Sequence, residues 1–132
     1  INTAAVLDEG TTIHYIPSEY PAVAYRHVVD ALAVAAKNLG YHYAEGITQS
    51  KDSFYGQHEP ENMPAESRLK ERWEAWRRGN VMTSEMEAAA LFVISSIRGC
   101  RAASIMSFVD MKKTIEVARD ALKILIKQDA AK

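Results

Sequence analysis

The sequence KDSFYGQHEP at residues 51–60 is a polar segment that contains two aromatic residues and a glycine. It follows a strand-like run, and a second polar segment, TSEME at residues 83–87, opens a strongly apolar helical run. In α/β proteins, ligands bind at the carboxyl ends of strands and the amino ends of helices. These two segments are therefore the candidate site, and we expect the rest of the chain to hold them in place.

Strand-like and helix-like patterns alternate on both sides of these segments. Extended segments are predicted at residues 1–7, 11–15, 41–48 and 102–109, and helices at residues 23–39, 65–78, 85–97 and 111–127. The run AASIMSFV at residues 102–109 is a continuous apolar run, which is typical of a strand covered on both faces. Strands that alternate with helices predict an α/β fold with helices packed on a parallel or mixed sheet.

The predicted helices differ in how much of their surface is apolar. Residues 65–78 carry Trp73 and Trp76 on one side and charges elsewhere, so the two tryptophans are expected to pack rather than to bind a ligand. Residues 85–97 are apolar nearly all the way round, which predicts burial against a sheet or a subunit. Cys100, just after this helix, is expected to be a small buried residue.

Composition indicates a globular protein without a strong net charge. Of the 132 residues, 48% are hydrophobic and 25% are charged, and the net charge is -1. No basic field indicates binding to nucleic acid or to an anionic membrane. The single cysteine excludes an internal disulfide and fits a reducing compartment, and no apolar run approaches the roughly 20 residues of a membrane span. We therefore expect a cytoplasmic protein.

The predicted elements also indicate that the domain is larger than this sequence. Almost no connection separates the strand that ends at Val109 from the helix that starts at Met111, whereas strand-to-helix loops usually take about 2–6 residues. The chain starts abruptly in a strand at Ile1, and its roughly four strands are fewer than the mean of about 5–6. We expect residues 1–132 to be the C-terminal portion of a single domain, without its N-terminal part and possibly without a loop near Asp110.

Four blocks of the sequence resemble the C-terminal half of the uridine phosphorylase family, a branch of the nucleoside phosphorylase superfamily. They are DEGTT at residues 8–12, YPAVA at 20–24, SKDSFYGQ at 50–57 and SEMEAA at 84–89. The resemblance implies a three-layer α/β/α fold with a central mixed sheet. It also implies phosphorolysis, in which inorganic phosphate attacks the anomeric carbon of a nucleoside such as uridine and releases the base and ribose 1-phosphate.

The resemblance further implies a homo-oligomer, a dimer or a hexamer, that uses phosphate as co-substrate and no other cofactor. Two alternatives remain open. One is a nucleosidase of the same fold, in which water replaces phosphate. The other is a non-catalytic relative that binds a nucleoside or pairs with another subunit.

The base site is implied at the first polar segment. Phe54 matches the aromatic residue that stacks on the base, Gln57 matches the amide that binds the pyrimidine edge, and Ser53 is grouped with them. A carboxamide suits this role because it presents a donor and an acceptor side by side. The residues alone favour a simpler interpretation, in which Phe54 is tucked into the core and Gln57 is a solvated amide.

The ribose site is implied at the second segment. Met86 is expected to pack on the sugar and Glu87 to accept hydrogen bonds from its hydroxyls, with Glu85 in support. The residues alone favour a helix cap, because Ser84 and Glu87 match the capping-box pattern. The resemblance reverses that preference.

Several charged residues are assigned no role in the chemistry. No Arg or Lys follows Gln57 within residues 58–62, although such a residue helps to hold the base in the family; His58 is either a substitute donor or solvated. The arginines are expected to lie on helix surfaces, so no phosphate ligand and no catalytic residue is assigned. The four histidines have no metal-ligand spacing, and Asp110 is expected to cap the last helix.

Overall fold

The computed structural model describes residues 1–108 and 110–131, which contain a four-stranded mixed sheet. Its strands are β1 (Asn2–Asp8), β2 (Ala22–Val23), β3 (Gly46–Lys51) and β4 (Thr83–Glu85). They lie in the order β2–β1–β3–β4; β1 is antiparallel to β2 and parallel to β3, and β3 is parallel to β4. The prediction of a mixed sheet is confirmed.

The helices connect these strands. They are α1 (Arg26–Asn38), α2 (Phe54–His58), α3 (Glu66–Arg78), α4 (Ala88–Ile97) and α5 (Met111–Ala130), with 3-10 turns at Thr12–His14 and Pro60–Asn62. The helices predicted at residues 65–78 and 111–127 are confirmed to within three residues. α1 begins later than predicted because Val23 pairs with β1, and it ends at Asn38, two residues before Gly40, which adopts the left-handed φ of 69°.

The two faces of the sheet contact different helices. Leu7 of β1 packs in the cluster of Phe92 and Val93 on α4. The next residue, Asp8, points to the other face, where its carboxylate accepts a 3.2 Å hydrogen bond from Trp76 Nε1 of α3. α1 and α5 enclose a second apolar cluster. Helices therefore lie on both sides of a mixed sheet, which confirms the α/β/α prediction.

Residues 11–15 are not extended, so that prediction is wrong. The Glu9 carboxylate accepts hydrogen bonds from the backbone N–H of Thr11 at 2.6 Å and of Thr12 at 3.1 Å, and from the Thr12 hydroxyl at 2.5 Å. These bonds close the chain into a turn. The apolar alternation was too short to outweigh this local polar contact.

The strand predicted at residues 41–48 is displaced toward the polar segment. The Tyr41 N–H donates to the Ala36 carbonyl at the end of α1, and β3 starts only at Gly46. The strand then continues to Lys51, which the sequence had assigned to the following loop. That loop is in turn partly helical, because residues 54–58 form α2.

Residues 102–108 do not form the predicted strand. Ser104 makes an isolated bridge with Asn2, and Val109 lies outside the described residues. Ala103 and Ile105 instead pack against the cluster between α1 and α5. The apolar run therefore reflects burial without strand pairing.

The helix predicted at residues 85–97 begins at Ala88, because Glu85 belongs to β4 and Met86 and Glu87 form the turn that follows it. Its burial is one-sided: Leu91 and Ile97 are each 43% exposed. Cys100 is exposed, so the prediction of a buried cysteine is wrong. The chain turns outward there, since Gly99 ends α4 with a φ of 67°.

The start of α5 agrees with the sequence. The Asp110 carboxylate accepts a 3.0 Å hydrogen bond from the Lys112 N–H, which confirms the predicted cap. α5 is also the longest described helix, yet neither it nor any other helix in the described ranges has the length and apolarity needed to cross a membrane.

Candidate functional site

The two polar segments meet at the carboxyl ends of β3 and β4. These strands are parallel, with Gln49 opposite Ser84 and Ser50 opposite Glu85. Because side chains alternate along a strand, Gln49 and Ser84 share one face, and Ser50 and Glu85 share the other. The site therefore has two sides, one toward α2 and α3 and one toward α4.

The first segment forms α2, and Ser53 is its cap. The Ser53 Oγ accepts a 3.0 Å hydrogen bond from the Gly56 N–H. Phe54 is 51% exposed, which is inconsistent with a core aromatic. Its ring lies against the His58 ring, with centroids 4.2 Å apart and an interplanar angle of 36°. His58 is thus a stacking partner of Phe54 rather than an isolated solvated side chain.

Gln57 is half-buried and joins the second segment. Its side-chain oxygen accepts a 2.8 Å hydrogen bond from the Ser84 hydroxyl. The same hydroxyl accepts a 2.8 Å hydrogen bond from Lys51 Nζ and lies 3.2 Å from the Gln49 oxygen. A hydroxyl has one hydrogen, so it donates to one amide at a time, and Gln57 is the nearer. Gln57 is therefore held in place and is not a solvated loop amide.

Lys51 is a buried cation at this junction. The residue is 7% exposed, and burial lowers the pKa of its ammonium group. The charges of Glu85 and Glu87 oppose that shift but are the smaller effect. A cleft of about 200 Å³ borders Lys51 and Gln57, with Ser53, Leu69 and Trp73 among its other lining residues.

Asp8 anchors the far side of the same network. Its carboxylate accepts hydrogen bonds from Gln49 Nε2 at 2.5 Å and Trp76 Nε1 at 3.2 Å, and it forms an ion pair with Arg72. Arg72 is therefore committed to Asp8. Trp76 makes a hydrogen bond that was not predicted, and Trp73, which was expected to pack, is 40% exposed and borders the cleft. A continuous series of contacts runs from α3 through Asp8, Gln49 and Ser84 to Gln57.

On the α4 side, Glu85 caps the helix and the predicted capping box is wrong. Glu85 Oε2 accepts hydrogen bonds from the N–H groups of Glu87 and Ala88, each at 2.6 Å, and Glu85 Oε1 accepts one from the Ser50 hydroxyl at 2.5 Å. Ser50 Oγ accepts in turn from the Ala89 N–H at 2.8 Å. Ser84 cannot cap α4, because it lies in β4 with its side chain on the opposite face.

Met86 and Glu87 protrude from the turn between β4 and α4. Met86 is 39% exposed, and its N–H donates to the exposed Glu87 carboxylate at 3.2 Å. This carboxylate is therefore accessible to a ligand, whereas the Glu85 carboxylate is occupied by the helix. The structure brings the two predicted segments together, and Glu85 lies behind Glu87 on the first N–H groups of α4.

Lys51, Ser84 and Asp8 were given no binding role from the sequence, although Lys51 and Ser84 lie in the two polar segments. The signal that could have found them is the alternation Gln49–Lys51 at the end of a strand, which places both side chains on the face of Gln57. Within residues 1–108 and 110–131, no cluster of His, Cys, Asp and Glu has the geometry of a metal site.

Comparison with known protein families shows which family the chain belongs to. Residues 1–131 match a family model described as the phosphorylase superfamily. The chain belongs to this superfamily. The resemblance inferred from the four sequence blocks is thereby confirmed.

Relatives in the phosphorylase superfamily are similar over nearly the whole chain. Uridine phosphorylase of Treponema pallidum is 39% identical over 146 residues, which cover 98% of this chain and 57% of that protein. Uridine phosphorylase of Thermococcus kodakarensis is 39% identical over 145 residues, which cover 100% of this chain and 52% of that protein. Guanosine phosphorylase of Halorubrum lacusprofundi is 30% identical over 105 residues, which cover 80% and 39%. The chain thus spans about half the length of the first two relatives.

Proposed function

We propose that this chain forms the base-binding and sugar-binding part of a nucleoside phosphorylase that acts on uridine. Inorganic phosphate would attack the anomeric carbon while the bond from that carbon to the base nitrogen breaks. The electron pair of that bond leaves with the base, and the products are uracil and ribose 1-phosphate. Superfamily membership and the names of the Treponema and Thermococcus relatives support this choice.

One contact carries the proposal, the 2.8 Å hydrogen bond between the Ser84 hydroxyl and the Gln57 oxygen. These residues are 27 positions apart in the sequence, and the bond fixes the segment proposed for the base against the segment proposed for the sugar. A nucleoside has both parts joined by one bond, so its two recognition segments must lie side by side. This contact meets that requirement.

The proposed roles follow from the groups on each side chain that are exposed or that make no hydrogen bond to another described residue. The exposed ring of Phe54 stacks on the base. The Gln57 amide NH₂ has no partner among the described residues and donates to a pyrimidine carbonyl, while Ser53 fixes the start of α2 beneath it. The exposed Glu87 carboxylate accepts from the ribose hydroxyls.

Met86 and Glu85 complete the sugar side. Met86 packs on the ribose, because its side chain is partly exposed beside Glu87. Glu85 supports both residues by holding the first N–H groups of α4. The hydrogen bonds that the ribose hydroxyls donate to Glu87 become more favourable as positive charge develops on the sugar, and this lowers the barrier.

The decisive assay is uracil release from uridine by the complete protein, with and without inorganic phosphate. Release that requires phosphate supports the proposal. Release at the same rate without phosphate would identify a nucleosidase, and binding of uridine without release would identify a non-catalytic relative. Because one relative is named guanosine phosphorylase, guanosine is the competing substrate, and a preference for it would overturn the pyrimidine assignment.

We further propose a cytoplasmic homo-oligomer, a dimer or a hexamer, with phosphate as co-substrate and no other cofactor. Ile115, Leu122 and Ile126 on α5 are each at least 60% exposed, which supports contact with another surface. Sedimentation of the complete protein at micromolar concentration tests this, and a monomer would contradict it. We also propose that the domain extends beyond residues 1–132 in the complete protein.

A further inference from the structure

The side-chain amide of Gln57 can present either of two groups to a ligand, and the group that faces outward decides what the amide recognises. With its oxygen outward, the amide accepts a hydrogen bond from an N–H of the base. With its NH₂ outward, it donates to a carbonyl oxygen. Because an amide without fixed neighbours can rotate between the two, the neighbours of Gln57 determine its direction.

Two charged groups at the ends of the hydrogen-bond network fix the direction of the bonds between them. The Asp8 carboxylate can only accept, so it takes the NH₂ of Gln49, with 2.5 Å between Nε2 and Oδ2. This leaves the Gln49 oxygen 3.2 Å from the Ser84 hydroxyl. The Lys51 ammonium group can only donate, and it gives a 2.8 Å bond to the same hydroxyl. The Ser84 oxygen therefore serves as an acceptor for Lys51, and its hydrogen is left to be donated to an amide oxygen.

The nearer amide oxygen belongs to Gln57. It lies 2.8 Å from the Ser84 hydroxyl, against 3.2 Å for the oxygen of Gln49, which is held by Asp8. The Gln57 oxygen is thus turned toward β4. Its NH₂, which has no hydrogen-bond partner among residues 1–108 and 110–131, is the group left for a ligand in the cleft of about 200 Å³ that Gln57 borders.

We infer that Ser84 is a positioning residue that sets the selectivity of the base site. It holds the Gln57 amide with its NH₂ outward, so the site favours a base that presents a carbonyl oxygen to this amide. This inference rests on the proposed function and deepens it, because it names the residue that selects which group of Gln57 faces the base. Ser84 acts through Gln57 rather than on the ligand.

Three substrates test the direction of the amide: uridine, 2-thiouridine and 4-thiouridine. Sulfur is a weaker acceptor than oxygen, so replacing the carbonyl oxygen that binds the Gln57 NH₂ should lower kcat/KM. Each analogue also changes the leaving group, but that intrinsic change is the same in every variant. The ratio of kcat/KM for uridine to kcat/KM for the analogue is therefore divided by the same ratio in Gln57→Ala, and we call the result the contact factor.

The variants are Ser84→Ala, Ser84→Thr, Gln57→Ala and the double alanine variant, all made in the complete protein. The matched control is Thr83→Val. Thr83 is the neighbouring half-buried residue of β4, and its hydroxyl donates a 3.1 Å bond to Asn2 on the opposite face of the strand. The control thus removes a hydroxyl and its hydrogen bond from the same strand without a contact to Gln57. Thermal unfolding of each variant is recorded alongside turnover.

The wild type should show a contact factor of roughly 5 for one of the two analogues, the usual size for one neutral hydrogen bond. In Ser84→Ala the contact factor should fall to about 1, because no hydroxyl then holds the NH₂ outward. Ser84→Thr keeps the hydroxyl and should keep the factor, as should Thr83→Val even if it melts at a lower temperature. Adding Ser84→Ala to Gln57→Ala should leave the selectivity of Gln57→Ala unchanged.

Four outcomes would overturn the inference. A contact factor that persists in Ser84→Ala would mean that the amide keeps its direction without Ser84. A further change of selectivity in the double variant would mean that Ser84 acts independently of Gln57. No contact factor above unity in the wild type would mean that Gln57 does not donate to a carbonyl. Loss of the factor in Thr83→Val would trace it to a general disturbance of β4.

Failure of the proposed function gives a different result. In that case the wild type itself releases no base from uridine when phosphate is present. A wild type that does release uracil, with the same contact factor in Ser84→Ala, would remove the role of Ser84 and leave the proposed function intact.

Discussion

The most informative stability experiment compares Glu85→Ala with Glu87→Ala at the start of α4. The Glu85 carboxylate accepts three hydrogen bonds of 2.5 to 2.6 Å, from two backbone N–H groups and the Ser50 hydroxyl. The Glu87 carboxylate is exposed and accepts a 3.2 Å bond from the neighbouring Met86 N–H. The two substitutions are chemically identical and two positions apart, so each controls for the other.

The structure gives the size of the expected difference. Loss of a helix cap costs about 1 kcal/mol, within a range of about 0.5 to 2. Ser50 is fully buried, and a buried hydroxyl that loses its acceptor costs about 1–3 kcal/mol more. Glu85→Ala should therefore lower the free energy of unfolding by about 2–4 kcal/mol, and Glu87→Ala by no more than the roughly 0.5 kcal/mol of a surface change.

Urea unfolding of both variants provides the measurement, read as the midpoint at an unchanged slope. Ser50→Ala is a useful third variant, because it leaves the buried Ala89 N–H without its acceptor and should itself cost about 1–3 kcal/mol, while the two bonds from Glu85 to the first N–H groups of α4 remain. Equal destabilisation by the two glutamate variants, or a larger effect of Glu87→Ala, would refute the reasoning. That result would indicate that Ser84 and Glu87 form a capping box at the start of α4 and that the turn between β4 and α4 has a different conformation.

Four further experiments test other parts of the account. Glu87→Gln should lower uridine turnover at unchanged stability; normal turnover would exclude Glu87 from the sugar site. Gln57→Ala should weaken the preference for uridine over inosine, and an unchanged preference in competition assays would remove it from the base site. Thr48→Val should raise the free energy of unfolding by about 1 kcal/mol in urea titrations, because the buried Thr48 Oγ1 has no hydrogen-bond partner among residues 1–108 and 110–131; a lower free energy of unfolding would contradict this. Burial lowers the pKa of Lys51, so the unfolded state binds more protons than the folded state as the pH rises toward 10.5. The free energy of unfolding of the wild type should therefore rise relative to that of Lys51→Met over this pH range; a constant difference between the two proteins would contradict this.

Helix patterns in the sequence were informative where apolar spacing and end signals agreed. The helices at residues 65–78 and 111–127 were predicted to within three residues. Gly40 follows the end of α1 and Asp110 caps the start of α5, as expected. Periodicity is a reliable signal for helices of this length. Strands were predicted less well, because β2 and β4 are two and three residues long and no alternation can be detected over so few positions.

The candidate site was predicted in part for a related reason. Family motifs suggested Phe54, Gln57 and Glu87 as candidates, but they gave no contact between the segments. The bond from Ser84 to Gln57 depends on the register of β3 with β4, which pairs residues 35 positions apart. Lys51 was assigned to a loop because β3 ends later than its apolar pattern does. Its burial could be recognised only from the packed structure.

The crystal structure of the complete protein with uridine and phosphate is the most direct test of the proposed site. The account predicts electron density for the pyrimidine against Phe54, with its edge on Gln57 and its ribose hydroxyls within hydrogen-bond distance of Glu87. A nucleoside bound elsewhere, with these three side chains unoccupied, would contradict it.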